Sequence, residues 1–213
     1  MTNFAGTSAD GTAYMWSAAW ATSHDAVTGV SAETTSTQIQ LAINNSSFQI
    51  RRGFLYFDTS ALGASALISA ASLWLYCTDN AVKIVAMKGT QNAALVTADF
   101  DAFTGSAYSS VTPGTWGWCE IPFNQQGMDD INKTGTTKIS IRESDHDYDD
   151  VTPIALTVAN FRSSNYADPA FHPYLAVTYT TGWSAGDFLG VANANIGKIM
   201  GVSKASIGKV IGV

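Results

Sequence analysis

The alternation of apolar and polar side chains is clearest over residues 52–77, and the rest of the chain is organised around that stretch. Leu55 and Phe57 share one face of a first extended segment, and in a second segment Ala71, Leu73, Leu75 and Cys77 alternate with Ser72, Trp74 and Tyr76. A strand points successive side chains to opposite faces, so this period of two reads as β-structure. Between the segments lies the punctuated Phe57-Asp58-Thr59-Ser60-Ala61-Leu62-Gly63. The same alternation recurs over residues 37–43, 116–123, 137–142, 156–162 and 173–180, with a shorter apolar run over 82–87.

Turn chemistry divides these segments. Asn44-Asn45-Ser46-Ser47 predicts a hairpin from 37–43 into the organising strand, and Asn132-Lys133-Thr134-Gly135 predicts a turn before 137–142. Residues 12–20 read as an edge strand leading into an exposed loop around His24 and Asp25. Residues 97–114 read as a long connection with one helical turn, of the kind that often carries contacts. About nine short strands, without 3.6-residue periodicity of ordinary helix length, predict an all-β fold: an antiparallel β-sandwich, jelly-roll-like.

Composition narrows the setting. At 213 residues the chain supports one real core plus an appendage, read as a sandwich domain over 1–182 and a C-terminal arm over 183–213. Charged residues are 13% of the chain, about half the usual share, so Ser, Thr, Ala, Asn and Gly form much of the surface. That neutral polar surface suits an extracellular or virion protein. The net charge is −6 and no Lys/Arg stripe forms, which argues against nucleic acid as a partner. No apolar run approaches the roughly 20 residues of a membrane span, and no basic-then-apolar leader follows Met1. Cys77 and Cys119 both fall among core-facing neighbours; they read as buried free thiols, with a disulfide as the alternative.

The order Arg52, then Phe54-Leu55-Tyr56-Phe57-Asp58, Ser60 and Leu62, then Ile68, Ala71, Leu73, Leu75 and Tyr76 resembles the DNRLRE domain family. Asp145-His146-Asp147-Tyr148-Asp149 and Pro173-Tyr174-Leu175-Ala176-Val177-Thr178-Tyr179 resemble that family's late motifs, so the likeness covers most of residues 10–180. It departs at Thr59, where the family usually has an apolar residue, and at Gly53, which weakens a strand. The resemblance implies a β-sandwich, found as carbohydrate-binding modules of secreted polysaccharide-active proteins and among phage structural proteins.

Past residue 182 the chain repeats. Gly190-Val-Ala-Asn-Ala-Asn-Ile-Gly-Lys-Ile-Met200 is followed directly by Gly201-Val-Ser-Lys-Ala-Ser-Ile-Gly-Lys-Val-Ile211, then Gly212-Val213, a period of eleven. The glycines oppose a helix, so strand-and-turn units are expected. Phe188, Val191, Ile196, Ile199, Val202, Ile207 and Val210 are too many apolar side chains for a short arm to bury by itself, so they are expected to form an interface. The repeat is similar to C-terminal tails of phage virion proteins.

Two further clusters carry candidate chemistry. Trp74, Tyr76, Trp116 and Trp118 stand opposite the aliphatic faces of their strands, either as a platform for stacking sugar rings or as packing against a second layer or subunit. Asp145, Asp147 and Asp149 alternate, with Asp150 adjacent. They read first as a solvated acidic loop, with a Ca²⁺ site as the alternative; no EF-hand is present, since Asp150 replaces the required Gly and Leu156 the closing Glu. His24, His146 and His172 lie in loop-like contexts and no Gly-x-Ser-x-Gly, His-Glu-x-x-His or phosphate loop occurs. The expectation is therefore a non-enzymatic protein without a cofactor. Its role is read as a phage virion structural protein at the particle surface, homo-oligomeric and in contact with other virion proteins, with a carbohydrate-binding module as the alternative.

Overall fold

A computed structural model describes residues 1–36, 38–44, 47–79 and 82–181, together with the backbone of 187–188, 191–192, 198–199 and 202–203. The strands are β1 (Thr2–Ala5), β2 (Gly11–Met15), β3 (Ser31–Glu33), β4 (Gln38–Asn44), β5 (Gln49–Asp58), β6 (Ala66–Cys77), β7 (Ile84–Gly89), β8 (Phe103–Val111), β9 (Gly117–Pro122), β10 (Thr136–Glu143), β11 (Thr157–Arg162) and β12 (Tyr174–Thr181). Two single-turn helices interrupt them, α1 (Trp20–His24) and α2 (Gln125–Asp129).

All the pairings are antiparallel, and they fold one continuous sheet into a sandwich. One layer runs β9-β6-β12-β1, with β6 pairing β12 on one edge and β9 on the other. The facing layer runs β2-β5-β10-β7-β8. The strand β4 joins them: its end pairs β5 across the expected hairpin, Asn44 opposite Gln49, while its length pairs β11. Between the layers lies one core, to which β6, β9 and β12 send Leu73, Leu75, Cys77, Ile121, Leu175 and Val177, and β4, β5, β7 and β10 send Leu41, Leu55, Phe57, Ile84, Ile139 and Ile141. The two-residue period anticipates these inward sets.

Gly53 has a packing role in this arrangement. A Cβ there would lie 2.6 Å from both Ile141 Cγ1 and Ile39 Cγ2, so the missing side chain lets β4 cross close over β5.

Three expectations are corrected. Residues 103–111, read as part of a long loop, form β8, because Phe103 to Val111 complete the edge beside β7. The edge strand expected over 12–20 stops at Met15, and Trp20 turns into α1 because its ring is needed in a second apolar cluster. The loop around His24 is only partly exposed: Asp25 and Val27 face solvent, but the His24 side chain is 14% accessible and its ring stacks 5.3 Å from that of Trp20.

In the arm, Asp187–Phe188 pairs Val191–Ala192 and Lys198–Ile199 pairs Val202–Ser203, both antiparallel. The two ladders stand eleven residues apart, as strand-and-turn repeats require. The side chains named for the arm interface, Phe188, Val191, Ile196, Ile199, Val202, Ile207 and Val210, lie outside the described residues.

Candidate functional site

The sandwich has two outer faces, and they are built differently. The outer face of the β5/β10 layer is covered by a second cluster of Ala13, Trp20, Ile43, Ile50, Phe54, Leu95 and Phe100. Asp99 pins this cover in place by accepting from Asn92 N, Asn92 Nδ2 and Val96 N, all at 2.9 Å.

Under that cover sit two arginines. The register of β5 and β10 ends at Gly53 opposite Ile141, so Arg52 and Arg142 stand side by side. Both reach the carboxylate of Asp147, which is wholly buried: Arg52 Nη2 donates to Oδ1 at 2.8 Å, and Arg142 donates through Nη2 to Oδ1 at 2.8 Å and through Nε to Oδ2 at 2.9 Å. Arg142 Nη2 also donates to the backbone carbonyl of Asp147. The Phe103 ring lies beneath both guanidiniums, 4.9 Å from that of Arg52 and 4.3 Å from that of Arg142. Burial by itself pushes the Asp147 carboxyl up, but the two guanidiniums and their hydrogen bonds outweigh it and hold the group well below the usual carboxylate range.

The turn carrying Asp147 is built to aim it inward. Ser144–Tyr148 form a single π-type turn whose free N–H groups are capped by Glu143, which accepts from Asp145 N, His146 N and Asp147 N at 3.1, 2.7 and 3.0 Å. His24 Nε2 lies 2.9 Å from the Asp147 carbonyl oxygen, and Trp20 Nε1 donates to Asp150 Oδ1 at 2.9 Å.

The acidic run is solvent-exposed at Asp145, Asp149 and Asp150, but it is a turn rather than an extended segment and Asp147 points inward, so its carboxylates do not share one side. Asp145 pairs with Lys83 at 3.3 Å, Asp147 is spent on the arginines, and Asp149 faces solvent. Among the described residues no three His, Cys, Asp or Glu side chains converge as metal ligands.

The outer face of the β6/β9/β12 layer is open. Register sets its side chains in two rows. Trp74 on β6 stands opposite Glu120 on β9 and Tyr174 on β12; Tyr76 stands opposite Trp118, with Phe171 on its other side. The Trp74 and Tyr174 rings are nearly parallel, 8° apart with centroids at 5.8 Å. Trp118 meets Tyr76 edge-on at 5.5 Å and Tyr174 at 5.1 Å, and Tyr76 meets Phe171 at 4.6 Å. Trp118 remains 39% exposed. Burial pushes the Tyr174 phenol up, and the negative charge of Glu120 pushes it further.

Of the four aromatic residues nominated from sequence, Trp74, Tyr76 and Trp118 join this array. Trp116 is 68% exposed just before β9 and, among the described residues, makes no ring contact. Tyr174 and Phe171 were not foreseen as members, while Glu120 shares the Trp116 and Trp118 side of its strand by alternation but was not read as part of the platform. Alternation along β12 does place Tyr174 opposite Leu175, but only the β6–β12 register brings it beside Trp74.

Cys77 and Cys119 are free and buried on the inner side of the same strands, and Cys77 Sγ lies 2.9 Å from the Asp79 carbonyl oxygen. Burial, then the neighbouring Cys77 and Glu120, push the Cys119 thiol up to about 11, which suits inert packing rather than nucleophilic use.

No helix among the described residues is long and apolar enough to cross a membrane. The class of protein defined this far is an all-β sandwich with one sealed and one open aromatic face. No family model and no curated protein matches the chain. Among solved structures, the chain is similar to the K1 cleaved adhesin domain of Lys-gingipain from Porphyromonas gingivalis W83, at 11% identity and a TM-score of 0.27, over 67% of this chain and 92% of that one. So low a score carries no argument about fold or role.

Proposed function

We propose that this chain is a non-enzymatic polysaccharide-binding β-sandwich, and that it grips sugar on the outer face of β6, β9 and β12. The observation that carries this reading is the array of Trp74, Tyr76, Trp118, Tyr174 and Phe171 with the exposed carboxylate of Glu120 at its margin. A pyranose presents an apolar face of C–H groups and a rim of hydroxyls. Aromatic rings meet the first, and a carboxylate accepts from the second. The polar, sparsely charged surface fits the same partner.

The test is retention of the full chain on a panel of insoluble and immobilised polysaccharides. A bound glycan should be lost, by about tenfold or more in affinity, on Trp118→Ala, with the thermal transition in place. Failure of the intact chain to bind any of the panel removes the reading.

A second reading, a virion structural protein displayed at the surface of a phage particle, is favoured by the pair of eleven-residue-spaced ladders. The two are compatible, since a displayed sandwich can also hold a glycan. Loss of the arm from residue 183 onward should then abolish incorporation into particles while the sandwich stays folded, and unchanged incorporation counts against it.

A further inference from the structure

The chain leaves the sandwich at the end of β12, opposite an end where large apolar side chains are exposed. The strand β12 delivers the chain at Thr181 beside Ala66, at the end where Asp58 pairs Thr136. The strand β10 runs away from that end, so the 144–150 segment lies at the other one. The far end also carries the β4–β5 hairpin and the start of β11, where Thr157 pairs Ile43, while Ser17 N donates to the Ser47 carbonyl there at 3.2 Å.

Large apolar side chains are concentrated at this far end. Trp16, Val151 and Leu156 are more than half exposed and Ile154 is 91% exposed. At the same end the carboxylates of Asp25, Asp149 and Asp150 face solvent; the basic groups there are His24, 2.7 Å from Asp25 and 3.3 Å from Asp150, His146, Lys83 committed to Asp145, and Arg51 paired with Glu33 at 3.7 Å. Apolar side chains this large and this exposed are expected where something covers them.

The arm has the opposite character. Residues 183–213 hold Lys198, Lys204 and Lys209 against a single acid, Asp187, within a chain of net charge −6, and they interleave those lysines with Val and Ile. We propose that the arm of one copy docks on the Trp16, Val151, Ile154 and Leu156 end of a second copy, its lysines facing the rim of aspartates, so that copies associate head to tail. Such a contact joins two different surfaces and leaves one of each free, so it grows into a ring or filament rather than closing as a symmetric pair. This goes beyond sugar binding and does not depend on it.

The experiment is light scattering on three full-length proteins: the wild type, Ile154→Asp with Leu156→Asp, and Lys198→Glu with Lys204→Glu and Lys209→Glu. The wild type should exceed monomer mass, growing with concentration and shrinking with salt, whereas each variant alone should be a monomer with an unchanged circular dichroism melt. An equal mixture of the two variants should give a dimer and nothing larger, since one supplies an intact arm and the other an intact end. Zero-length carbodiimide cross-links from the arm lysines to Asp149 or Asp150, found between isotopically distinct copies, give the same answer without mutation. A monomeric wild type overturns the proposal and removes self-assembly through the arm with it. A wild-type oligomer that survives Ile154→Asp with Leu156→Asp overturns the docking site alone.

Discussion

Aromatic and charged side chains rise from both outer faces of this sandwich, yet the two faces use them in opposite ways. On the β5/β10 side Arg52 and Arg142 are buried, and each is matched by the Asp147 carboxylate between them and by the ring of Phe103. On the β6/β9/β12 side the rings stack on one another but keep an accessible surface, and Glu120 is exposed. A charge taken out of water must be paired or it unfolds its surroundings, whereas a ring left at the surface costs little and stays available. Spacing alone reads the acidic 145–150 run as a solvated loop, and what it misses is the one carboxylate, Asp147, that is buried between two arginines.

The largest expected effect is on the sealed face. Asp147→Ala removes the partner of two buried guanidiniums, and losing one side of such a group costs about 3–5 kcal/mol, a large share of the 5–15 kcal/mol that holds a domain together. Urea unfolding should show a midpoint far below wild type, or no folded protein at all; a midpoint shifted by less than about 1 kcal/mol would mean the arginines find water when their partner leaves. The same group sets an acid limit. Its pKa is lowered on folding, so its contribution is present above the ordinary aspartate value of about 4 and is lost as pH falls from there toward the folded value. Stability followed by circular dichroism should therefore decline below about pH 4, and that decline should be shallower in Asp147→Asn, where only other lowered carboxylates such as Asp58 still contribute.

The open face should give the reverse result. Trp118→Ala removes a ring that is 39% exposed and rests on other rings rather than in the core, so stability should change by about 1 kcal/mol or less while polysaccharide retention falls. A matched unfolding curve and binding assay on one preparation separates the outcomes. If Trp118→Ala unfolds the protein as readily as Asp147→Ala does, the two faces are both structural and the comparison fails.

The inner faces of the sandwich were legible in the sequence because they obey a local rule. Leu73, Leu75 and Cys77, or Ile139 and Ile141, announce themselves by alternation, and burial follows. The β4–β5 hairpin was legible from its Asn and Ser residues. What escaped depends on register and on long-range pairing. Residues 103–111 contain Gly, Ser and Thr in place of a strong apolar alternation, and they become a strand only because β7 offers an edge. The role of Asp147 depends on Arg52, 95 residues earlier in the chain, and no local spacing connects them. Three of the five rings of the aromatic array were found in the same way as the core, by alternation on β6 and β9; Tyr174 and Phe171 reach it through a third strand and a loop.

The smallest effect lies at the margin of the open face. Glu120 is opposite Trp74, which is opposite Tyr174, and its charge adds to burial in raising the Tyr174 phenol. Glu120→Gln removes the charge and keeps the shape. The Tyr174 titration should move down toward the ordinary tyrosine value of about 10 without reaching it, because burial persists. The chain has 8 tyrosines, so the phenolate absorbance must be read as the difference from a Tyr174→Phe background. Stability should stay within about 0.5 kcal/mol, and glycan retention should weaken less than on Trp118→Ala, since an amide oxygen still accepts from a hydroxyl. If Glu120→Gln instead abolishes retention while Trp118→Ala spares it, the face recognises its ligand by charge rather than by stacking, and an amino sugar or basic peptide becomes the better occupant.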